Sequence, residues 1–120
     1  MATVYTSAGE ALVVDLLDET IVCPTDWYVA WGTGGGGAVK GDTTLTTEAS
    51  ENRVIGAATQ PSADINQWVA TITADGTKTI DEAGLFSAST SGTMLIRGDF
   101  TGIALTAGDK IEFTITLEQT

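Results

Sequence analysis

Histidine is absent from this sequence, cysteine occurs once, proline twice, and five basic residues stand against sixteen acidic ones. Each scarcity excludes a class of chemistry. Without imidazole, Ser–His–Asp and Cys–His catalytic arrangements cannot be built, and the commonest general base and metal ligand is missing. A lone thiol, Cys23, rules out an intrachain disulfide and a thiolate metal cluster, which leaves it the role of a small buried apolar side chain. A net charge of −11 argues against nucleic acid, whose binding needs clustered Lys and Arg to displace counterions, and equally against an anionic membrane surface. No stretch approaches the roughly 18 apolar residues of a membrane span, and the opening "MATVYTSAGE" lacks the basic and apolar regions of a signal peptide. Synthesis and first residence in a cytoplasm are therefore expected.

What the chain does contain is glycine, threonine and alternating apolar residues. Its 120 residues include 14 glycines and are 42% hydrophobic, a length suited to one domain with one core and a composition that favours strands joined by turns. Thr3, Val4 and Tyr5 alternate as an edge strand would, with nothing nearby to force them into a core, so residues 1–7 read as an extended arm ahead of a single domain over 8–120. Ser7 and Glu10 have capping-box spacing, and Leu12, Val13, Leu16 and Leu17 follow near-helical periodicity, which predicts a short helix over about 8–18. Alternation of Leu12, Val14 and Leu16 leaves a strand as the competing reading. In "DWYVAW", Trp27, Val29 and Trp31 share one face and Tyr28 and Ala30 the other, the two-sided apolarity of a covered strand. "NRVIGAATQ" and "DINQWVATITA", separated by Pro61 and Ser62, read as a hairpin followed by a tight turn at Asp75-Gly76. "DKIEFTITLEQ" alternates Ile111, Phe113, Ile115 and Leu117 with polar residues, as a strand with one dry face does. The expected fold is all-β, a single-domain β-sandwich or jelly-roll-like barrel with one short N-terminal helix.

The stretch "WYVAWGTGGGGAVKGDTTLTTE" carries the spacing G-x-G-x-x-G at Gly32, Gly34 and Gly37. A dinucleotide fingerprint needs a helix after the glycines, so that backbone N–H groups and the helix terminus face a pyrophosphate together. The Thr-rich segment that follows has no helical periodicity. Gly36 and Gly41 have Walker A separation, but Asp42 stands where the phosphate-binding lysine belongs, and a carboxylate repels phosphate. Four consecutive glycines match such spacings by chance, so the plain reading is a flexible connection leaving a strand.

Other constellations are equally thin. Asp81 and Glu82 are adjacent, so on a regular strand they point to opposite faces and cannot flank one glycosidic bond. Asp15, Asp18 and Glu19 lack the glycine and spacing of an EF-hand and read as a solvated helix end. Trp27, Trp31 and Trp68 could stack on a sugar, although core aromatics between two sheets are the more economical reading. No residue is assigned to catalysis, cofactor binding or metal ligation.

The order of "YVAWGTG", "GDTTLTTE" with "NRV", "IDEAGLF", and "TMLIRGDF" with "LTAGDKIEFTITL" resembles a layout found among small structural proteins of tailed bacteriophages, head decoration (cement) proteins included. The resemblance covers about residues 12–118. It implies a non-enzymatic virion protein, made in the host cytoplasm, that binds the outer surface of the assembled head against the major capsid protein, without a cofactor. A homotrimer is expected, since linked weak contacts at a three-fold junction bind far more tightly than one. Ala2, Thr3, Val4, Tyr5 and Thr6 are the candidate partner-binding residues, reaching a neighbour by strand addition. A tail or fibre module is the alternative within the same class, and a carbohydrate-binding β-sandwich using exposed tryptophan the alternative outside it. Within the resemblance, Leu45 is expected to pin "GDTTLTTE" across a sheet.

Overall fold

The computed structural model of this chain describes residues 2–119. Eight strands and one helix follow in the order β1 (Ala2–Tyr5), α1 (Ser7–Leu17), β2 (Tyr28–Gly32), β3 (Val54–Ile55), β4 (Ala57–Ser62), β5 (Ile65–Thr73), β6 (Lys78–Phe86), β7 (Met94–Leu105) and β8 (Lys110–Glu118). A five-stranded sheet, β1-β7-β6-β2-β3, packs on a three-stranded sheet, β4-β5-β8. Every pairing is antiparallel and no strand belongs to both sheets. This is the all-β sandwich with one short helix that the alternation predicts.

The sandwich forms because inward positions are apolar on both sheets. Val29, Trp31, Ile80, Leu85 and Ile96 face Trp68, Ala70 and Ile72 across the interior, and burial of these side chains is the main stabilising contribution. β5 and β8 form a nine-residue ladder in which Trp68 opposes Ile115, Ala70 opposes Phe113 and Ile72 opposes Ile111. β4 and β5 make the expected hairpin, but its turn falls at Ala63-Asp64, because Pro61 and Ser62, read as the separator, belong to β4, and "NRVIGAATQ" is divided between β3 in the larger sheet and β4 in the smaller. The Asp75-Gly76 connection differs from expectation, because β5 and β6 lie in different sheets and the turn carries the chain between layers.

A second apolar cluster, Ala30, Leu45, Phe86 and Met94, lies apart from the main core. It is covered by the long connection from Gly32 to Val54, which Leu45 pins as predicted. β2 is consequently buried on both faces although its outer neighbour, β3, is only two residues long.

Three local expectations are corrected. Residues 2–5 are no free arm, since β1 pairs with β7 from Ala2 opposite Asp99 to Tyr5 opposite Ile96. Thr6 is fully buried and is the residue that caps α1, its hydroxyl accepting from the Gly9 N–H at 2.9 Å while donating to the Met94 carbonyl at 2.6 Å. The second bond explains why the cap falls on Thr6 and not on Ser7. Cys23 is exposed, because residues 18–26 belong to neither apolar cluster.

Candidate functional site

The glycine-rich connection is the one place where the sequence suggests a ligand cradle, and three of its glycine amides already have partners. Gly34 N–H donates to Glu82 Oε2 at 2.9 Å, Gly35 N–H to Asp81 Oδ1 at 2.8 Å, and Gly37 N–H to Asp99 Oδ2 at 2.8 Å. The amides that would cradle a phosphate are thus bound to carboxylates of neighbouring strands. Close approach explains the glycines. A Cβ on Gly32 would lie 2.3 Å from the Thr47 carbonyl, and one on Gly34 or Gly35 would lie 2.7 Å from Thr47 N or Asp81 Cγ. Gly36 and Gly37 adopt φ of 104° and 100°, the left-handed region that a side chain disfavours.

Glu82 is the centre of this arrangement. Its side chain is wholly buried, and besides Gly34 it accepts from the Thr46 and Thr47 N–H groups at 2.9 and 2.8 Å and from Arg97 Nη2 at 2.9 Å. Arg97, equally buried, also donates to Asp42 Oδ2 at 3.0 Å and to Thr46 Oγ1 at 3.2 Å. Burial pushes the Glu82 carboxyl up, but the Thr47 and Thr46 amides, the guanidinium and the Gly34 amide together hold it below the ordinary glutamate range. Asp42, which a Walker A reading would need as lysine, instead clamps Arg97. The cluster therefore ties β6, β7 and both ends of residues 34–47 into one unit.

Asp81 and Glu82 do reach the same loop, contrary to the alternation expected of neighbours on a strand. The register between β6 and β7 shifts between Ile80 and Glu82, and such an irregularity breaks the two-residue period and re-aims a side chain. Both carboxylates are then occupied by backbone amides, which leaves no pair flanking an open substrate position.

The tryptophans are divided between core and rim. Trp31 and Trp68 are 1% and 5% exposed, and Trp31 Nε1 donates to Glu51 Oε1 at 3.0 Å. Trp27 is half-buried and tilted 57° against Trp68, so the three rings form no common stacking face. The candidate partner residues Ala2, Thr3, Val4 and Tyr5 lie along one edge of the five-stranded sheet, with Thr6 beneath it. Near that edge a groove of about 200 Å³ opens between the sheets, lined by Thr3, Ile96, Phe100, Phe113 and Ile115 among others. The sequence reading missed the Glu82–Arg97 cluster and this groove; an Asp and a Glu in tandem with a lone Arg in "LIRGDF" was the available signal for the first.

No protein-family model matches this sequence, and no curated protein matches it at a significant level.

Proposed function

We propose that this chain is a non-catalytic structural protein of a tailed-phage virion, a decoration protein that seats as a trimer on the outside of the assembled head and reinforces contacts between copies of the major capsid protein. The observation that carries this reading is the saturation of the one cradle-like site. Its Gly34, Gly35 and Gly37 amides, its buried carboxylate and its arginine are spent on holding the loop to the sheet. The chemistry of the molecule thus serves architecture, and its uncommitted groups are surfaces and strand edges. The phage-like layout of the sequence supplies the class, and the free edge of β1 with Ala2, Thr3, Val4 and Tyr5 supplies one contact region, Thr6 being buried beneath it.

Trimer formation has to overcome the repulsion of chains carrying −11 each. Val14 and Leu17 on α1 and Val22 in the segment after it, 59%, 81% and 91% exposed, offer apolar area for that contact. Mixing the purified protein with empty expanded heads at about 10 µM, a concentration that detects micromolar affinity, and pelleting the heads tests the reading. Co-sedimentation saturating at three chains per local three-fold site is expected. Absence of the protein from the head pellet, or its recovery with isolated tails alone, would overturn the head assignment.

A further inference from the structure

β7 is the longest element of the fold, and its two edges are unequally covered. On one side it pairs with β6 as far as Leu105 opposite Lys78; on the other, β1 ends with Ala2 opposite Asp99. Residues 100–105 therefore have one unpaired side, and among the described residues no other segment forms backbone hydrogen bonds with them. The interior beneath is uncovered as well. Ile103 is 43% exposed although its cross-strand partner, Ile80, is fully buried, and Phe100, Ile111 and Phe113 are half-buried. β8 is the edge strand of the smaller sheet, so both layers end on this side, with the rings of Phe100 and Phe113 6.2 Å apart across the gap.

Exposed edges are normally guarded by charge, proline or brevity. β8 carries Lys110, Glu112 and Glu118, β4 carries Pro61, and β1 is four residues long. The open stretch of β7, "FTGIAL", carries neither charge nor proline; its one irregularity is the bulge that the β6–β7 register shift places at residues 100–102, opposite Asp81, ahead of the regular pairs from Ile103 to Leu105. The charge balance of the whole chain also defines the partner's charge. Lys40, Arg53, Lys78 and Arg97 are ion-paired with six carboxylates, Glu10, Glu48, Glu51, Asp75, Asp42 and Glu82. Of sixteen carboxylates that leaves ten, against Lys110 as the one cation outside an ion pair among the described residues.

We propose that residues 100–105 of β7 accept an extended strand from a different, basic polypeptide, laid antiparallel to β7 in line with β1, with alternate apolar side chains set against Phe100, Ile103 and Phe113. Main-chain hydrogen bonds supply the attachment and the half-covered apolar row selects the alternation. Flanking Lys or Arg residues meet the uncompensated carboxylates, whereas a second copy of this chain brings only more negative charge to the same edge. The inference stands apart from the head-binding reading, because it rests on the edge and the charge balance alone.

The test is a titration of the isotope-labelled full-length protein with a capped peptide of alternating valine and threonine bearing two lysines at each end, followed by amide chemical shift and hydrogen exchange. Saturating shifts and at least tenfold slower exchange confined to residues 100–105 and the adjacent face of β8 are expected, with at least tenfold weaker binding when glutamates replace the lysines. Ile103→Lys, at a position exposed enough to fold, should weaken the lysine peptide at least tenfold, while Ile103→Val should not. The proposal fails if these amides stay unchanged up to about 1 mM peptide, the weak limit of specific recognition. It fails equally if the glutamate peptide binds as well, or if the protein dimerises through these residues without peptide.

Discussion

At the residue scale the fold hinges on a buried carboxylate that would be unaffordable without its partners. Glu82 meets three backbone amides and Arg97, so Glu82→Gln turns one acceptor into a donor facing donors and leaves a buried guanidinium with Asp42 alone. A loss of about 3–5 kcal/mol in urea-denaturation stability is expected. In Glu82→Gln/Arg97→Met the second change should restore part of that loss, because the unpaired buried charge is then gone. Glycines sort by the same local reasoning. Gly32→Ala drives a methyl into the Thr47 carbonyl and should destabilise by several kcal/mol, whereas Gly41→Ala meets nothing within 4 Å and should be neutral or gain up to about 1 kcal/mol by restricting the unfolded chain. Thermal denaturation of the two variants side by side checks the contrast. Little of this was legible in the sequence, since the Glu82 and Arg97 contacts join residues 15 to 55 positions apart. The absence of a following helix, which separates this stretch from a dinucleotide fingerprint, was legible in the sequence.

At the element scale the sequence is most informative where one face is wet. β8 alternates cleanly and pairs with β5 along its whole length, whereas the turn between β4 and β5 lies two residues beyond Pro61 and Ser62, turn formers by residue type that an edge strand accommodates. β1 was harder to place because a four-residue edge strand carries too few side chains to show a period, and its partner lies more than 90 residues away. α1 shows the limit in another way. Its end is a Schellman arrangement, with Thr20 N–H donating to the Asp15 carbonyl at 3.0 Å and Glu19 N–H to that of Leu16 at 3.3 Å. The left-handed position is filled by Glu19, φ 63°, where glycine is usual. Glu19 also adds negative charge to a helix terminus that is already negative, beside Asp15 and Asp18. Glu19→Gly should therefore stabilise the protein by about 0.5–1.5 kcal/mol, read as a higher melting temperature with unchanged circular dichroism. A lower melting temperature would mean that the carboxylate makes a compensating contact.

At the scale of the whole molecule, lowering the pH sets two electrostatic effects against each other. The carboxylates outside ion pairs among the described residues repel one another in the compact state, and protonating them relieves that repulsion. Glu51 and Glu82 act in the opposite sense. Burial raises the Glu51 carboxyl, but the Lys78 ammonium, the Asp75 amide and the Trp31 indole N–H outweigh it and hold the group down to about 2, from an ordinary 4.5. A carboxyl whose value is lower folded than unfolded adds stability that is complete above the unfolded value and is lost as pH falls through the folded one. For Glu51, whose side chain is 7% exposed, the gap corresponds to about 3 kcal/mol, lost between about pH 4.5 and 2. Surface repulsion is screened beyond roughly 8 Å at physiological salt and contributes less. Urea-denaturation stability should thus stay level or rise slightly from about pH 7 to 5, then fall steeply below about 4.5. Salt at about 1 M should abolish the rise and leave the fall, because the buried groups are poorly screened. Glu51→Gln removes the titrating group, so it should begin about 3 kcal/mol lower at neutral pH and lose stability less steeply in acid. An acid slope identical to that of the parent protein would show that Glu51 is not among the groups whose protonation unfolds the chain.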